Sequence, residues 1–228
     1  MALAPKIFAG ILAISFSLSV SGHAQEPPVA PEVGIEVIKR WLGTNTGVGS
    51  VKIDFTQTRH MKSLKVPIRQ DGILWLDFSK NPRRFRWQTG DPAQTIVVGG
   101  GNGVLIIRTP GKKFEKKASG ESAAPGMASL AHGFPRTLED FQRKYHILEV
   151  RPHQNTYRIL ARPLGASGRG VETFTYVVER DRHRLLGIEI QLKDGSSVET
   201  VFNQVQANVA LPAGLFSPDL TGYKETKF

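Results

Sequence analysis

The apolar pattern of the chain opens with a helical stripe and then changes to a two-residue repeat. Within Glu32–Leu42 apolar side chains recur at helical spacing and Gly43 follows as a stop, so a helix with one buried face is predicted here. The stripe consists of Val37, Ile38, Trp41 and Leu42. Further on, Val51, Ile53 and Phe55 alternate with polar residues, which is typical of a half-buried strand.

The stretch Gln70–Gln88, which reads QDGILWLDFSKNPRRFRWQ, predicts two neighbouring antiparallel strands. Aromatic and β-branched residues favour strands, and the Asn-Pro step between the two apolar runs favours a turn. The first run, ILWLDF, is apolar on both faces. In the second strand Phe85 and Trp87 share one face. Arg84 and Arg86 share the other face, so one side of the sheet is expected to be buried and the other solvated.

Short apolar runs separated by turn residues continue the strand pattern toward the end of the chain. The further predicted strands are Thr95–Val98, Val104–Arg108, Lys112–Lys117, His146–Arg151, Thr156–Arg162, Val171–Glu179, Leu185–Lys193 and Ser197–Gln206. Between the third and the fourth of these, Met127, Leu130 and Phe134 recur at helical spacing. Thr137 then begins a second short helix as its cap. The predicted fold is mainly β (α+β), a curled sheet of about 11 antiparallel strands with helices available to cover its apolar concave face.

The first residues have the features of an export signal. Lys6 precedes the apolar run Ile7–Val20, and the small residues of Gly22-His23-Ala24 suit signal peptidase, so residues 1–24 are predicted to be a cleaved signal peptide. Residues 25–228 are then predicted to form a single domain, since neither a repeat nor a linker divides them. An uncleaved membrane anchor is the alternative, although the apolar run is short for a helix that spans a bilayer.

Charge and residue types narrow the chemistry. The formal net charge of +10 favours anionic lipids, acidic glycans or an acidic protein as partners of an exported chain, and nucleic acid is not expected. A basic surface that only keeps the protein soluble explains the charge equally well. Cysteine is absent and no two histidines have metal-ligand spacing, so no disulfide, metal site or cofactor is predicted. No nucleophile motif or carboxylate pair indicates catalysis, and the chain is predicted not to be an enzyme.

Six motifs follow one another over almost the whole of the exported chain. They are Phe55-Thr56-Gln57-Thr58, Gly72-x-Leu74-Trp75, Pro82-x-x-Phe85-x-Trp87, Ile96-Val97-Val98-x-Gly100, the helical insertion Pro125–Tyr145 and Asn208-x-x-Leu211-Pro212-x-x-x-Phe216. Their order and spacing resemble the LolA family, periplasmic carriers that move lipoproteins from the inner to the outer membrane of bacteria with two membranes. The resemblance implies an incomplete antiparallel barrel closed by helices, a periplasmic location and a hydrophobic cavity for acyl chains.

The resemblance also implies which residues contact the cargo, foremost Phe85 and Trp87. The predicted cavity lining is Phe55, Trp75, Phe85, Trp87, Val98, Phe174, Ile188 and Phe202. The predicted lid is Trp41, Met127, Leu130, Phe134 and Phe141. We hypothesise that the three middle lid residues fill the empty groove and swing out on loading, the alternative being that they are permanent core. In the family an arginine before the proline of the third motif holds the lid shut, and Asn81 stands at that position here.

The function that the resemblance implies is transport of acylated lipoproteins, or of another lipid, by a monomer. An inner-membrane lipoprotein-releasing transporter would load it and an outer-membrane acceptor would unload it. Each buried methylene contributes about 0.8 kcal/mol, so a dry groove lets an acyl chain cross water without any bond being broken. Two other classes of function stay open at this point, an envelope sensor that binds a protein partner and a lipid hydrolase.

Overall fold

The fold is described by a computed structural model that covers residues 26–100, 103–118, 135–165 and 170–227. Its two described helices are α1 (Pro31–Gly43) and α2 (Leu138–Lys144). The described strands are β1 (Ser50–His60), β2 (Ile68–Asp77), β3 (Arg84–Thr89), β4 (Thr95–Gly100), β5 (Gly103–Arg108), β6 (Lys113–Lys117), β7 (Tyr145–His153), β8 (Thr156–Pro163), β9 (Val171–Glu179), β10 (Leu185–Leu192), β11 (Ser197–Ala207) and β12 (Lys224–Glu225). The predicted signal peptide, residues 1–24, and the predicted lid residues Met127, Leu130 and Phe134 lie outside the described residues.

The described strands form one sheet of 12 strands in the order β12-β6-β5-β4-β3-β2-β1-β11-β10-β9-β8-β7. Neighbouring strands are antiparallel except that β12 runs parallel to β6. Within the described chain β7 and β12 are the two edges and do not pair with each other, so the sheet stays open. The predicted mainly β fold with an incomplete antiparallel barrel is therefore confirmed, and β12 is the strand that the apolar pattern did not predict.

Strand β1 joins the two halves of the sheet. It pairs with β2, the next strand in the chain, and with β11, which comes near the end of the chain. Its Val51, Ile53 and Phe55 are buried, as the two-residue alternation predicts. We call the face that carries these side chains the inner face, since it belongs to the same buried cluster as α1. The opposite face of the sheet is the outer face.

The two described helices begin and end where their sequences favour it. Pro31 stands at the start of α1, where a missing backbone N–H costs nothing, and the predicted stripe of this helix is buried. In α2 the Thr137 hydroxyl accepts a hydrogen bond from the Asp140 backbone N–H at 3.1 Å, which confirms the predicted cap. Both helices pack against β7, and α1 also packs against β8 and α2. They therefore cover the inner face at the β7 edge of the sheet.

An aromatic cluster fills the inner face beneath these helices. The ring of Trp41 lies 5.9 Å from Phe141 and 5.1 Å from Tyr176, and Phe174 lies 5.4 Å from Tyr145. We call these five side chains the helix-packed region. Burial raises the pKa of the Tyr145 phenol, and it raises the pKa of Tyr176 well above the usual value, so both phenols are neutral at physiological pH.

The outer face of β4, β5 and β6 is covered by the C-terminal segment, so the prediction of a solvated outer side is wrong there. A second buried cluster lies on this face and consists of Ile96, Val98, Ile107 and Phe114, packed against Phe216, Leu220 and Tyr223 of the segment. The Arg84 guanidinium lies 4.6 Å from the centre of the Phe216 ring, and Arg86 donates to the Leu215 carbonyl at 3.2 Å. The side chains of Arg84 and Arg86, which were expected to face solvent, therefore contact the C-terminal segment through a cation–π contact and a hydrogen bond.

Candidate functional site

An apolar cavity of about 480 Å³ opens at one end of the inner face. It lies between the residues that follow α1, the neighbouring strands β1, β2 and β11, and the start of β10. Its apolar lining is Val48, Val51, Ile53, Leu76, Phe78, Leu185, Leu186, Phe202, Val205 and Ala207. We call this space the mouth cavity. Its volume falls within the range of roughly 300–1,000 Å³ that is usual for small-molecule sites.

Irregular strand pairing shapes the mouth cavity. The register between β1 and β11 shifts between Asp54 and Phe55, and beyond this bulge Val205 lies opposite Ile53. Phe202 and Val205 therefore both line the cavity, although residues three apart in a regular strand lie on opposite faces. Val205 remains 53% exposed. An exposed apolar side chain on a wall of an apolar cavity is a feature of a binding surface rather than of a finished core.

A second irregularity lies in β10. The register between β9 and β10 shifts between Leu185 and Gly187, so the neighbours Leu185 and Leu186 both line the mouth cavity. A regular strand would have pointed these two side chains to opposite faces of the sheet. Bulges of this kind re-aim side chains next to functional sites. Simple alternation along the sequence places neither of these bulges.

Aromatic rings form a second part of the inner face, on β1 and β3. The Phe55 and Trp87 rings lie 4.0 Å apart, and both are buried. A Cβ atom on Gly72 would overlap the Phe55 ring, and one on Gly99 would overlap the ring of Phe85. Both rings therefore lie over the bare backbone of a glycine in a neighbouring strand, as aromatic residues do when they cover glycines in sheets. This geometry explains the glycine of the second motif.

The structure places the predicted cavity residues in three locations: the mouth cavity, the buried core of the inner face, and the outer face. Phe202 lines the mouth cavity, whereas the rest of the inner-face residues lie in the buried core: Phe55, Phe85, Trp87, Phe174 and Ile188. The predicted lid residues Trp41 and Phe141 are 1% and 0% exposed and belong to the helix-packed region. Whether any of these residues touches a lipid stays a prediction.

Trp75 and Val98 lie on the outer face, so their assignment to an inner cavity is corrected. Trp75 pairs with Arg86 in the sheet and lies 5.9 Å from its guanidinium, on the side opposite Leu74. Val98 is part of the cluster beneath the C-terminal segment. The cause is that both strands are apolar on both faces, and periodicity alone does not show which face of such a strand turns inward.

Arginines stand around the mouth cavity. Arg136 donates to the Asn45 carbonyl at 2.7 Å, and its guanidinium lies 4.7 Å from the centre of the Phe78 ring. Burial lowers the pKa of Arg136, and the positive charge of Arg83 lowers it further. Arg182 and Arg184 line the cavity from the turn before β10. Arg182 and Arg184 are close to each other in the sequence, but the sequence does not show that Arg136 lies beside the same cavity.

An ion pair connects the turn between β2 and β3 to α2. Nη1 of Arg83 lies 3.7 Å from the Asp140 carboxylate on α2, two positions after the residue at which the family has its lid arginine. Asp140 also lies 3.2 Å from Lys144. Asn81 itself is thus followed closely by a cation that reaches α2. The pair is partly exposed, so its contribution to stability is about 1 kcal/mol or less.

The described residues contain neither a metal-binding group nor a membrane-spanning helix. No group of three or more His, Asp or Glu side chains in this part of the chain is placed to hold a metal ion. None of the described helices is long and apolar enough to cross a membrane.

The fold and the mouth cavity define a class of protein, the open half-barrels that are covered by helices and keep an apolar cavity. The chain matches the family described as outer membrane lipoprotein carrier protein LolA over residues 46–219, and it belongs to that family. It is 25% identical over 174 residues to an outer-membrane lipoprotein carrier protein of Chromobacterium violaceum, a match that covers 75% of this chain and 78% of the relative.

Two solved structures share the fold at low sequence identity. One is a domain of Vibrio parahaemolyticus named for outer membrane lipoprotein sorting, with a TM-score of 0.51, 12% identity, and coverage of 82% of this chain and 97% of that one. The other is a DUF1329 family protein from Desulfovibrio piger, with a TM-score of 0.50, 10% identity, and coverage of 85% and 98%. At these identities the likeness concerns the fold alone.

Proposed function

We propose that this protein carries the acyl chains of lipoproteins, or of a related lipid, through the periplasm from the inner to the outer membrane. The observation that carries the proposal is the mouth cavity of about 480 Å³, whose apolar walls include the exposed Val205. Membership of the LolA family supports it as well. Proteins of this family are carriers and binding proteins rather than enzymes, and the carriers are periplasmic.

The energetics of an acyl chain explain why a cavity is sufficient for this task. At about 0.8 kcal/mol per methylene, the transfer of a fatty chain of ordinary length from a bilayer into water costs on the order of 10 kcal/mol of free energy. A protein that shields most of that chain lowers the barrier to crossing the periplasm by a similar amount. No covalent step is needed, since loading and release depend only on relative affinities.

The loading and unloading partners follow from this scheme. An inner-membrane lipoprotein-releasing transporter supplies the cargo, and an outer-membrane acceptor with higher affinity removes it. The carrier works as a monomer after residues 1–24 are cleaved. In this scheme the predicted lid residues Trp41 and Phe141 belong to the helices that cover the inner face, where both are buried in the helix-packed region. No specific observation favours the sensor alternative.

Two valines on one strand provide a matched test of the cavity. Val205 lines the mouth cavity and is 53% exposed, whereas Val201 is 44% exposed and pairs with Thr56 on the outer face. Val205→Asp and Val201→Asp place the same charge on the same strand, and each is expected to change the free energy of unfolding by about 1 kcal/mol or less. Only the first variant puts a carboxylate against the apolar wall.

The measurement is native mass spectrometry of each protein purified from the periplasm, followed by titration with a fluorescent fatty-acyl probe. The wild type and Val201→Asp are expected to carry lipid and to bind the probe, and Val205→Asp is expected to lose at least about tenfold in probe affinity. Equal lipid content in all three proteins would contradict the cavity as the binding site. A wild type that carries no lipid and binds no probe would contradict the carrier function itself.

A second assay addresses transport. Spheroplasts that hold an acylated lipoprotein in the inner membrane should release it into the medium when the wild-type protein or Val201→Asp is added. Val205→Asp should release little. If release does not depend on the added protein, the shuttle function is contradicted even where lipid binding is observed.

A further inference from the structure

The charge around the mouth cavity is one-sided. Its described lining includes Arg136, Arg182 and Arg184 but no acidic side chain. Arg184 already binds the Glu179 carboxylate at 2.8 Å. Neither Arg136 nor Arg182 forms an ion pair with a carboxylate among the described residues. The hydrogen bond from Arg184 lowers the pKa of Glu179 and the charge of Arg182 helps to lower it, but that carboxylate is bound by Arg184 and lies outside the cavity lining. Within the described lining neither Arg136 nor Arg182 therefore has an anionic partner.

The charge of Arg136 is only partly solvated. Its side chain is half-buried, it packs on the Phe78 ring that lines the same cavity, and the like charge of Arg83 is close enough to disfavour its charged form. A cation in such a place is stabilised by an anion that arrives with the ligand. The planar guanidinium group suits the two oxygens of a phosphate or carboxylate group, to which it donates in parallel.

We infer that the cargo is an anionic amphiphile, with its acyl chain in the mouth cavity and its phosphate or carboxylate group against Arg136 and Arg182. This inference rests on the proposed function and narrows its substrate class. A neutral acyl lipid would use the apolar walls of the cavity and leave both guanidinium groups without an anionic partner in the cavity lining. An anionic group brings to the cavity the negative charge that its described lining lacks.

Three probes separate the contributions of chain and charge. Dodecyl phosphate carries both, dodecyl maltoside carries the same chain with an uncharged head, and inorganic phosphate carries the charge alone. Calorimetric titration of the protein purified from the periplasm should show dodecyl phosphate binding about tenfold more tightly than dodecyl maltoside. Added salt should weaken binding of the phosphate probe and leave binding of the maltoside unchanged.

Arginine variants then assign the charge. Arg182→Gln is the first variant, because this side chain is exposed and its loss should not affect folding. It should lower the affinity for dodecyl phosphate about fivefold and leave that for dodecyl maltoside unchanged. Arg136→Gln should do the same, with its thermal unfolding measured alongside because Arg136 also binds Asn45. Arg69→Gln, at an exposed position of β2 outside the cavity lining, is the control with the same change of charge.

The possible results distinguish a failure of this inference from a failure of the proposed carrier function. Equal affinity for the two dodecyl probes with no effect of Arg182→Gln would overturn the inference and leave the carrier function standing. Inorganic phosphate that binds as tightly as dodecyl phosphate would also overturn it, since the site would then recognise a free anion. If neither dodecyl probe binds, the proposed function fails together with the inference.

Discussion

Two parts of the inner face are built from similar apolar residues and are packed in different ways. In the helix-packed region Trp41 is 1% exposed, and its ring contacts those of Phe141 and Tyr176. At the mouth cavity Val205 is 53% exposed beside about 480 Å³ of open space. The difference shows that similar apolar residues form a buried cluster in one part of the inner face and the wall of an open cavity in the other.

The largest effect is expected from a substitution in the helix-packed region. Trp41→Ala should lower the free energy of unfolding by about 3–5 kcal/mol, because it removes a fully buried aromatic side chain from a close-packed cluster. Val205→Ala at the mouth should change it by no more than about 0.5 kcal/mol. Urea denaturation of both variants measures the two values. Similar losses in the two variants would show that the mouth is an ordinary part of the core.

A smaller effect is expected on β4, which the mouth strands separate from the helix-packed region. Gly99→Ala should lower the free energy of unfolding by about 2–3 kcal/mol, because the added methyl group meets the Phe85 ring and must displace it. The neighbouring Gly100→Ala is the matched control. The nearest atom to a Cβ there, Cγ of Arg84, is 3.6 Å away, so an ordinary contact results. Equal stability of the two variants would contradict the arrangement of ring over glycine.

The smallest effect concerns Asp77, which lies between the cavity-lining residues Leu76 and Phe78, and it depends on pH. Asp77 is 2% exposed and accepts hydrogen bonds from Ser79 and, at 2.6 Å, from Arg84. Burial alone would raise the pKa of Asp77, but these hydrogen bonds outweigh burial and hold it below the usual value. The folded state therefore gains stability from this carboxylate above the unfolded pKa of about 3.9 and loses it as the pH falls through the folded pKa.

Asp77→Asn should accordingly cost about 1–2 kcal/mol at neutral pH, and the difference from wild type should shrink in acid below about pH 4. Urea denaturation across a pH series measures this change, with the exposed Asp181→Asn as the control. A difference that stays constant with pH would contradict the role of the Asp77 charge.

Periodicity was a good guide wherever one face of an element is apolar and the other polar. The stripe of α1, the alternation in β1 and the Thr137 cap of α2 all appear in the structure as predicted. In each of these elements a local pattern corresponds to one burial choice. The resemblance that ties the motifs together led to the LolA family, to which the chain belongs.

Prediction failed where an element has two apolar faces or where the pairing is irregular. Trp75 and Val98 were placed on the wrong face because neighbouring positions in their strands are apolar too. No element is predicted after the strand Ser197–Gln206, yet Phe216 covers the outer face and Lys224 begins β12. The partners of this C-terminal segment lie far away in the sequence, so no local pattern reveals its cover of the sheet.

The sequence by itself determined that this protein is a curled antiparallel sheet with an amphipathic helix, because those features follow from local spacing of apolar side chains. Only the tertiary structure decided that the aromatic side chains of the helix-packed region are buried and that the mouth is open. Bulges at β10 and β11 turn Leu186 and Val205 toward one cavity, and the segments before α2 and before β10 add Arg136 and Arg182 to its lining. Such convergence depends on which distant strands pair and in what register, and the free energy that selects a register belongs to the whole sheet.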